Sequence, residues 1–359
     1  MILLAIALLW CSFNSHPCTS ELAHLTAILP GPAVAINWID ARRHLIDSLH
    51  PDHQVMPPLL LAERHRHKPD LIEGAIDFHV HSAPDVTERS LDDFELAQMA
   101  ADAGMQAVVL KNHVASTAAR AVLVNKIVPG VQLFGGVVLN RSVGGINPAA
   151  VEAMYRLGHN QGKVVWLPTI DADYHHQVFH QPGPGIKVAQ AGKLLPEVER
   201  VLQLVAQHNL VLGTGHISPA EVKLVVERAH SLGIKNILIT HAMADVPGLS
   251  IADMQTVTAL GAYLELVYVN DLMGPESTSI AHQNWHRVSV DQMAAAIKTI
   301  GAEHFVLSTD LGRRLDPLPA EGYQRFVQGL MQAGITEADI DLMMMKNPAR
   351  LLGISEFVD

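Results

Sequence analysis

Cysteine is nearly absent from this 359-residue chain. It has two, Cys11 and Cys18, both close to the N-terminus. That scarcity excludes a disulfide framework or a cysteine-based metal site from the main fold. Basic surplus is missing too. There are 25 Lys and Arg against 36 Asp and Glu, for a formal net charge of -11. No basic stripe runs along the chain, which argues against nucleic acid as a partner. No stretch has the length and apolarity of a transmembrane helix, so no membrane partner is expected. The opening run Met1–Trp10 is apolar but too short to span a bilayer, and it lacks the preceding basic residues of a secretion signal. The expected location is the cytoplasm, with secretion as the alternative. A phosphate-binding glycine loop is also lacking, since Gly135-Gly136 and Gly144-Gly145 do not fit the dinucleotide fingerprint.

What is present is a 49% hydrophobic composition, ample for a large core, and 21 histidines. Residues 1–73 read as an irregular N-terminal extension. It carries Pro30-Gly31-Pro32, Pro57-Pro58 and the polar run Glu63–Lys68, with a helix expected around Ile39–Leu49. His65 and His67 fall in that polar run and read as a solvated linker. Residues 74–359 read as one domain in which β-branched runs alternate with amphipathic segments. The expected strands are Ala75–Val80, Gln106–Lys111, Val131–Leu139, Lys163–Thr169, Leu210–Thr214, Asn236–Thr240, Ala262–Val267 and His304–Thr309. Helices are expected between them, started by pairs such as Asn147-Pro148 and Ser218-Pro219 and stopped by glycines such as Gly104, Gly233 and Gly301. Eight strand–helix units predict an α/β fold, a parallel (β/α)8 TIM-type barrel. A doubly wound sheet is the alternative.

In such a barrel the active site forms at the C-terminal ends of the strands. The first strand ends in His79-x-His81, whose side chains share one face. The second ends in Lys111-Asn112-His113, the fifth in His216, the sixth in His241 and the eighth in Asp310. Imidazole and carboxylate are ligands for zinc and similar ions. Their gathering at one end predicts a divalent metal site of one or two ions, with zinc expected and manganese or iron as alternatives.

His79-x-His81, His216, His241 and Asp310, in that order, resemble the amidohydrolase superfamily of metal-dependent hydrolases. The resemblance covers residues 74 to about 353. The stretches Asp77–Asp85, Leu110–His113, Gly135–Asn147 and Thr309–Gly312 resemble an amidohydrolase-like branch of unknown function. The resemblance implies the barrel and the metal site, but no substrate. One departure concerns the fourth strand, where binuclear members place a bridging lysine or glutamate. Here Lys163 lies at the wrong end of that strand, and Lys111 is the better-placed substitute. Carboxylated, Lys111 would bridge two ions; cationic, it would bind an anionic substrate or pair with Asp310.

The ligand set predicts hydrolysis of an amide, lactone, ester or related bond of a small molecule by a metal-activated water. Asp310 is expected both to touch the metal and to act as the base. His113, Asn140, Arg141 and Asp171 are the substrate-binding candidates, and Asp77 is read as inward-facing support for the ligands. The segment after the fourth strand, with Tyr174, His175, His176 and His180, reads as a lid bearing solvated histidines. Non-oxidative decarboxylation and phosphoester hydrolysis are the alternative chemistries, and a homo-oligomer is the default assembly.

Overall fold

The computed structural model describes residues 71–354, apart from residue 159. The helix expected at Ile39–Leu49 and the His65/His67 linker lie outside the described residues. Eight short strands form one sheet: β1 Ile76–Val80, β2 Ala107–Leu110, β3 Gln132–Val138, β4 Gly162–Trp166, β5 Val211–Gly213, β6 Ile237–Ile239, β7 Tyr263–Val267 and β8 Phe305–Ser308. They pair in sequence order and all are parallel. The ring closes where the Asp310 amide donates to the His79 carbonyl at 2.8 Å and the His81 amide to the Leu311 carbonyl at 2.9 Å. The fold is a TIM-type barrel, as the alternation predicts.

The α-helices are α1 Asp93–Asp102, α2 Ala118–Val124, α3 Pro148–Gly158, the short α4 Asp173–Val178, α5 Pro196–Gln207, α6 Pro219–Ser231, α7 Ile251–Thr258, α8 Val290–Ile300, α9 Pro319–Gln332, α10 Glu337–Asp341 and α11 Asn347–Leu352. Capping boxes start four of them, at Asp92, Ser218, Ser250 and Ser289, each satisfying amides that the helix leaves open. No helix among the described residues is long and apolar enough to cross a membrane.

Two apolar layers follow from strand alternation. Outward residues such as Val108, Leu212 and Leu264 pack under the helices. Inward residues such as Val109, Phe134, Val164, Trp166, Val211 and Val306 fill the barrel. Trp166 needs Gly213 opposite it, because a Cβ there would run into the indole ring. Leu351 and Leu352, just after Asn347 anchors to the start of β8, join the inner core and plug the N-terminal end. The inner core is therefore apolar at its base and leaves only the C-terminal mouth for chemistry.

A bulge in β1 sets the orientation of the histidines. Ile76 and Phe78 both belong to the inner core, so strict alternation would turn His79 outward. The register against β2 shifts between Asp77 and Val80, and this extra residue brings His79 and His81 inward. Asp77 is left outside the barrel. That corrects the inward reading of Asp77: its carboxylate accepts from the Thr309 hydroxyl at 2.6 Å and amide at 2.9 Å, tying β1 to β8 from behind. Burial raises its pKa to about 7.

Candidate metal centre

The first half of the centre lies between β1 and β8. One Asp310 oxygen sits 3.0 Å from His79 Nε2 and 3.1 Å from His81 Nε2. These donor atoms lie within 4.8 Å of one another, close enough to hold one metal ion. Asp310 has φ +53, a left-handed backbone that a non-glycine residue adopts at a cost of about 1–3 kcal/mol. Burial alone would raise its pKa, but His79 and His81 hold it well below the usual carboxylate range. On the far side, His81 Nδ1 lies 3.3 Å from Arg89, which is itself paired with Asp85 at 2.7 Å.

Behind His79 stands a second carboxylate, Glu265, on the inward face of β7. Its Oε2 is 3.3 Å from His79 Nδ1 and accepts the His241 amide at 3.0 Å. Glu265 is 0% exposed. Burial opposes its charge, yet His79 and Lys111 bring its pKa below the ordinary value. Burial also works against a charged His79, but Asp310 and Glu265 outweigh it and Lys111, and the His79 pKa is raised. Lys111 projects inward from the end of β2. Its Nζ lies 2.9 Å from His79 Nε2 and 5.5 Å from the Trp166 ring centre. Burial lowers its pKa and so favours the neutral amine.

The other half, at the ends of β5 and β6, contains imidazoles. His216 Nε2 and His241 Nε2 face each other at 3.1 Å. His241 has φ +28, which turns it into the barrel although Leu238 and Thr240 occupy the inward parity. Burial lowers the His216 pKa well below its usual value and brings His241 to about 4, so both rings are neutral. The halves adjoin, with His79 and His241 ring centres 6.2 Å apart. His175 on α4 corrects the solvated-lid reading. It is buried, and its Nδ1 lies 2.8 Å from His216 Nδ1. Phe179 and Trp285 pack over it. His176 stays at the surface and reaches the Gly183 carbonyl.

The candidate substrate residues divide. His113 is half-buried, with its ring centre 4.9 Å from that of His81 and 6.4 Å from that of His216. Its Nδ1 lies 2.9 Å from Thr169 Oγ1. Asn140 is buried and its amide is taken up by Thr169 and the His113 carbonyl. Arg141 and Asp171 pair with each other on the rim at 3.4 Å, with the arginine side chain 53% exposed.

This donor set fits a cation. His81, His216 and His241, whose pKa values burial lowers, converge with His79 and the ionised carboxylate of Asp310. Two buried atoms among them, His241 Nδ1 and Glu265 Oε1, have no hydrogen-bond partner among the described residues. Sequence reading missed Glu265, whose signal was a lone acid inside the apolar strand Tyr263–Val267. It also missed the packing of His175 and Trp285, which come from separate excursions and had no local signature.

No curated protein matches the chain. Solved structures share the fold. An amidohydrolase from Pseudomonas aeruginosa matches with TM-score 0.52 at 13% identity, over 80% of this chain and 98% of its own. An organophosphorus hydrolase from Deinococcus radiodurans matches with TM-score 0.51 at 17% identity, over 79% and 94%. A phosphotriesterase homology protein from Escherichia coli, complexed with phosphate in its active site, matches with TM-score 0.52 at 15% identity, over 78% and 99%. Residues 185–352 match the phosphotriesterase family, in keeping with the amidohydrolase resemblance. Residues 74–265, more than half of the chain, match a family of unknown function, DUF6282, and the protein belongs to that family.

Proposed function

We propose that the protein is a metal-dependent hydrolase cleaving an ester, lactone or amide bond of a small molecule. The carrying observation is the single Asp310 oxygen within 3.1 Å of two imidazole nitrogens. In this reading His79, His81 and Asp310 hold one divalent ion and His216 and His241 a second. Zinc suits imidazole and carboxylate donors; manganese and iron are the alternatives. Lys111, whose pKa burial lowers, would react with CO2 as the free amine to give a carbamate and release a proton, and so would supply a further anionic oxygen donor.

When bound, the ions acidify a water and polarise the substrate oxygen. Asp310 would accept a proton from the attacking water as the water oxygen bonds to the carbonyl carbon. It returns the proton to the leaving oxygen or nitrogen as the scissile bond breaks. His113 faces the substrate from between the halves. Arg141 and Asp171 contact its distal part at the rim, and the engaged Asn140 acts by fixing His113 and Thr169. The net charge of -11 favours a small molecule over nucleic acid. Phosphoester hydrolysis is the second reading, favoured by the phosphotriesterase match over the segment that carries His216, His241 and Asp310.

The test is metal analysis of protein purified without chelator, joined to assays on lactones, amides, phosphotriesters and aromatic carboxylates. The expected result is hydrolysis that a chelator abolishes and zinc restores. Full activity in metal-free protein would overturn the reading, and decarboxylation of the aromatic acids would replace it with lyase chemistry.

A further inference from the structure

The hydrogen bonds behind His113 determine which of its nitrogens carries the proton. The hydrogen-bond network begins at Asn140. Its Oδ1 lies 2.9 Å from the Thr169 amide, which can only donate. Its Nδ2 lies 3.0 Å from the His113 carbonyl, which can only accept. These two backbone groups fix the amide orientation, so Nδ2 also donates its second hydrogen to Thr169 Oγ1 at 2.8 Å. Thr169 is 0% exposed, so its own hydroxyl hydrogen must find an acceptor within the protein. Among the described residues the acceptor within reach is His113 Nδ1, at 2.9 Å. A protonated Nδ1 would leave that hydroxyl hydrogen buried and unpaired. His113 is therefore neutral, with its hydrogen on Nε2. This Nε2 has no hydrogen-bond partner among the described residues, and the residue is half-buried.

We infer that His113 is a fixed hydrogen-bond donor, its Nε2–H aimed at the substrate oxygen on which negative charge develops, and that Asn140 and Thr169 are positioning residues that hold this tautomer. The inference rests on the hydrolase reading above and assigns a role within it. It excludes His113 as a metal ligand through Nε2 and as a general base, because both need a lone pair on that nitrogen. The ring position suits the donor role, since His113 lies between His81 of one half and His216 of the other. The substrate class it selects carries a carbonyl or phosphoryl oxygen beside the scissile bond.

Two independent measurements test this. The first is long-range proton–nitrogen NMR of the full chain labelled in histidine, with and without zinc. The His113 signals are identified by their loss in H113Q. The expected result is an unprotonated Nδ1 and a protonated Nε2 in both states, a mixed tautomer in T169V and restoration in T169S. A protonated Nδ1, a T169V tautomer identical to wild type, or a His113 nitrogen that responds to zinc as a ligand would overturn the inference. The second compares H113L with H113Q, which retains an N–H donor, by zinc content and by kcat on a lactone and a phosphotriester. Unchanged zinc content is expected in both. H113L should lose roughly a hundredfold in kcat, the effect of removing one donor to a developing oxyanion, and H113Q should recover part of it. Equal losses in the two variants would overturn the donor role. If neither probe is hydrolysed by the wild type, the hydrolase reading fails, while the NMR measurement still decides the tautomer.

Discussion

The two halves of the centre are built from the same residue type and are electrically unlike. Around His79 and His81 stand two carboxylates, Asp310 and Glu265, with Lys111 beside them. Around His216 and His241 stand further imidazoles, His113 and His175, and an indole. The first half can neutralise much of a cation's charge with its own anions. The second offers neutral lone pairs only. An ion entering the acidic half exchanges water for opposite charge in a buried setting, where the attraction is weakly screened. An ion entering the imidazole half depends on orientation of the rings. Zinc titration of the metal-free protein should therefore resolve two affinities, the tighter belonging to the acidic half.

The largest effect should come from removing the one group that serves both binding and proton transfer. D310N keeps the size of the side chain but removes its charge and its basicity. Turnover should fall by roughly a hundred- to ten-thousand-fold, the usual range for a positioned acid–base group. Zinc at His216 and His241 should survive, so metal analysis is expected to find at least that ion. Near-normal turnover in D310N would remove Asp310 from proton transfer and leave the comparison purely electrostatic.

Glu265 sharpens the comparison because it touches His79 without belonging to the close donor group. E265Q removes the charge behind the ring and preserves its shape. The tighter zinc affinity should weaken by about ten- to a hundredfold, as for other residues that orient a metal-binding histidine. The weaker affinity should change less. Equal weakening of both sites would mean that Glu265 acts on the whole mouth and that the halves are not separable.

The sequence carried the barrel and the strand ends because both depend on local pattern. β-branched runs, capping boxes and terminal glycines lie within a few residues of one another, and each strand core falls inside its expected segment. Six of the eight strands stop sooner than expected, as at Trp166 on β4, while β1 and β7 end where expected. Past the ends of β5 and β6 side chains extend the ladder: Thr214 Oγ1 accepts the Thr240 amide at 3.1 Å, and Thr240 Oγ1 the Gly215 amide at 3.0 Å. The bulge that turns His79 and His81 in while Asp77 stays out has no signature in the chain, since it is a mismatch with β2 and needs both strands to be seen. The burial of His175 likewise depends on Phe179 and on Trp285, which arrive from different excursions and meet above β5.

The imidazole half has its own supporting residue, and the expected effect is smaller. His175 Nδ1 and His216 Nδ1 share one hydrogen at 2.8 Å. If His216 donates it, the lone pair on His216 Nε2 is freed for a metal. H175F preserves a ring between Phe179 and Trp285 but accepts nothing. The weaker zinc affinity should fall by about tenfold, the lower end of the range for such partners, with the tighter affinity unchanged. An unchanged weaker affinity would leave His175 as a packing residue alone.

Proton counting gives the smallest signal and the cleanest separation of the halves. The metal-free pKa of His79 is raised, because Asp310 and Glu265 outweigh its burial. A histidine with a raised folded pKa contributes stability that is fully present below its unfolded value and lost as pH rises through the folded value. At pH 6.5 His79 is therefore more than half protonated, and zinc must displace that proton to bind Nε2. His241, lowered to about 4 by burial, has no proton to lose at that pH, and Asp310 is already ionised. Calorimetric zinc titrations in two buffers of different ionisation enthalpy should count more than half a proton released in the tight step. The weak step should release close to none, and acidification should weaken the tight step first. Release confined to the weak step would reverse the electrostatic order of the two halves.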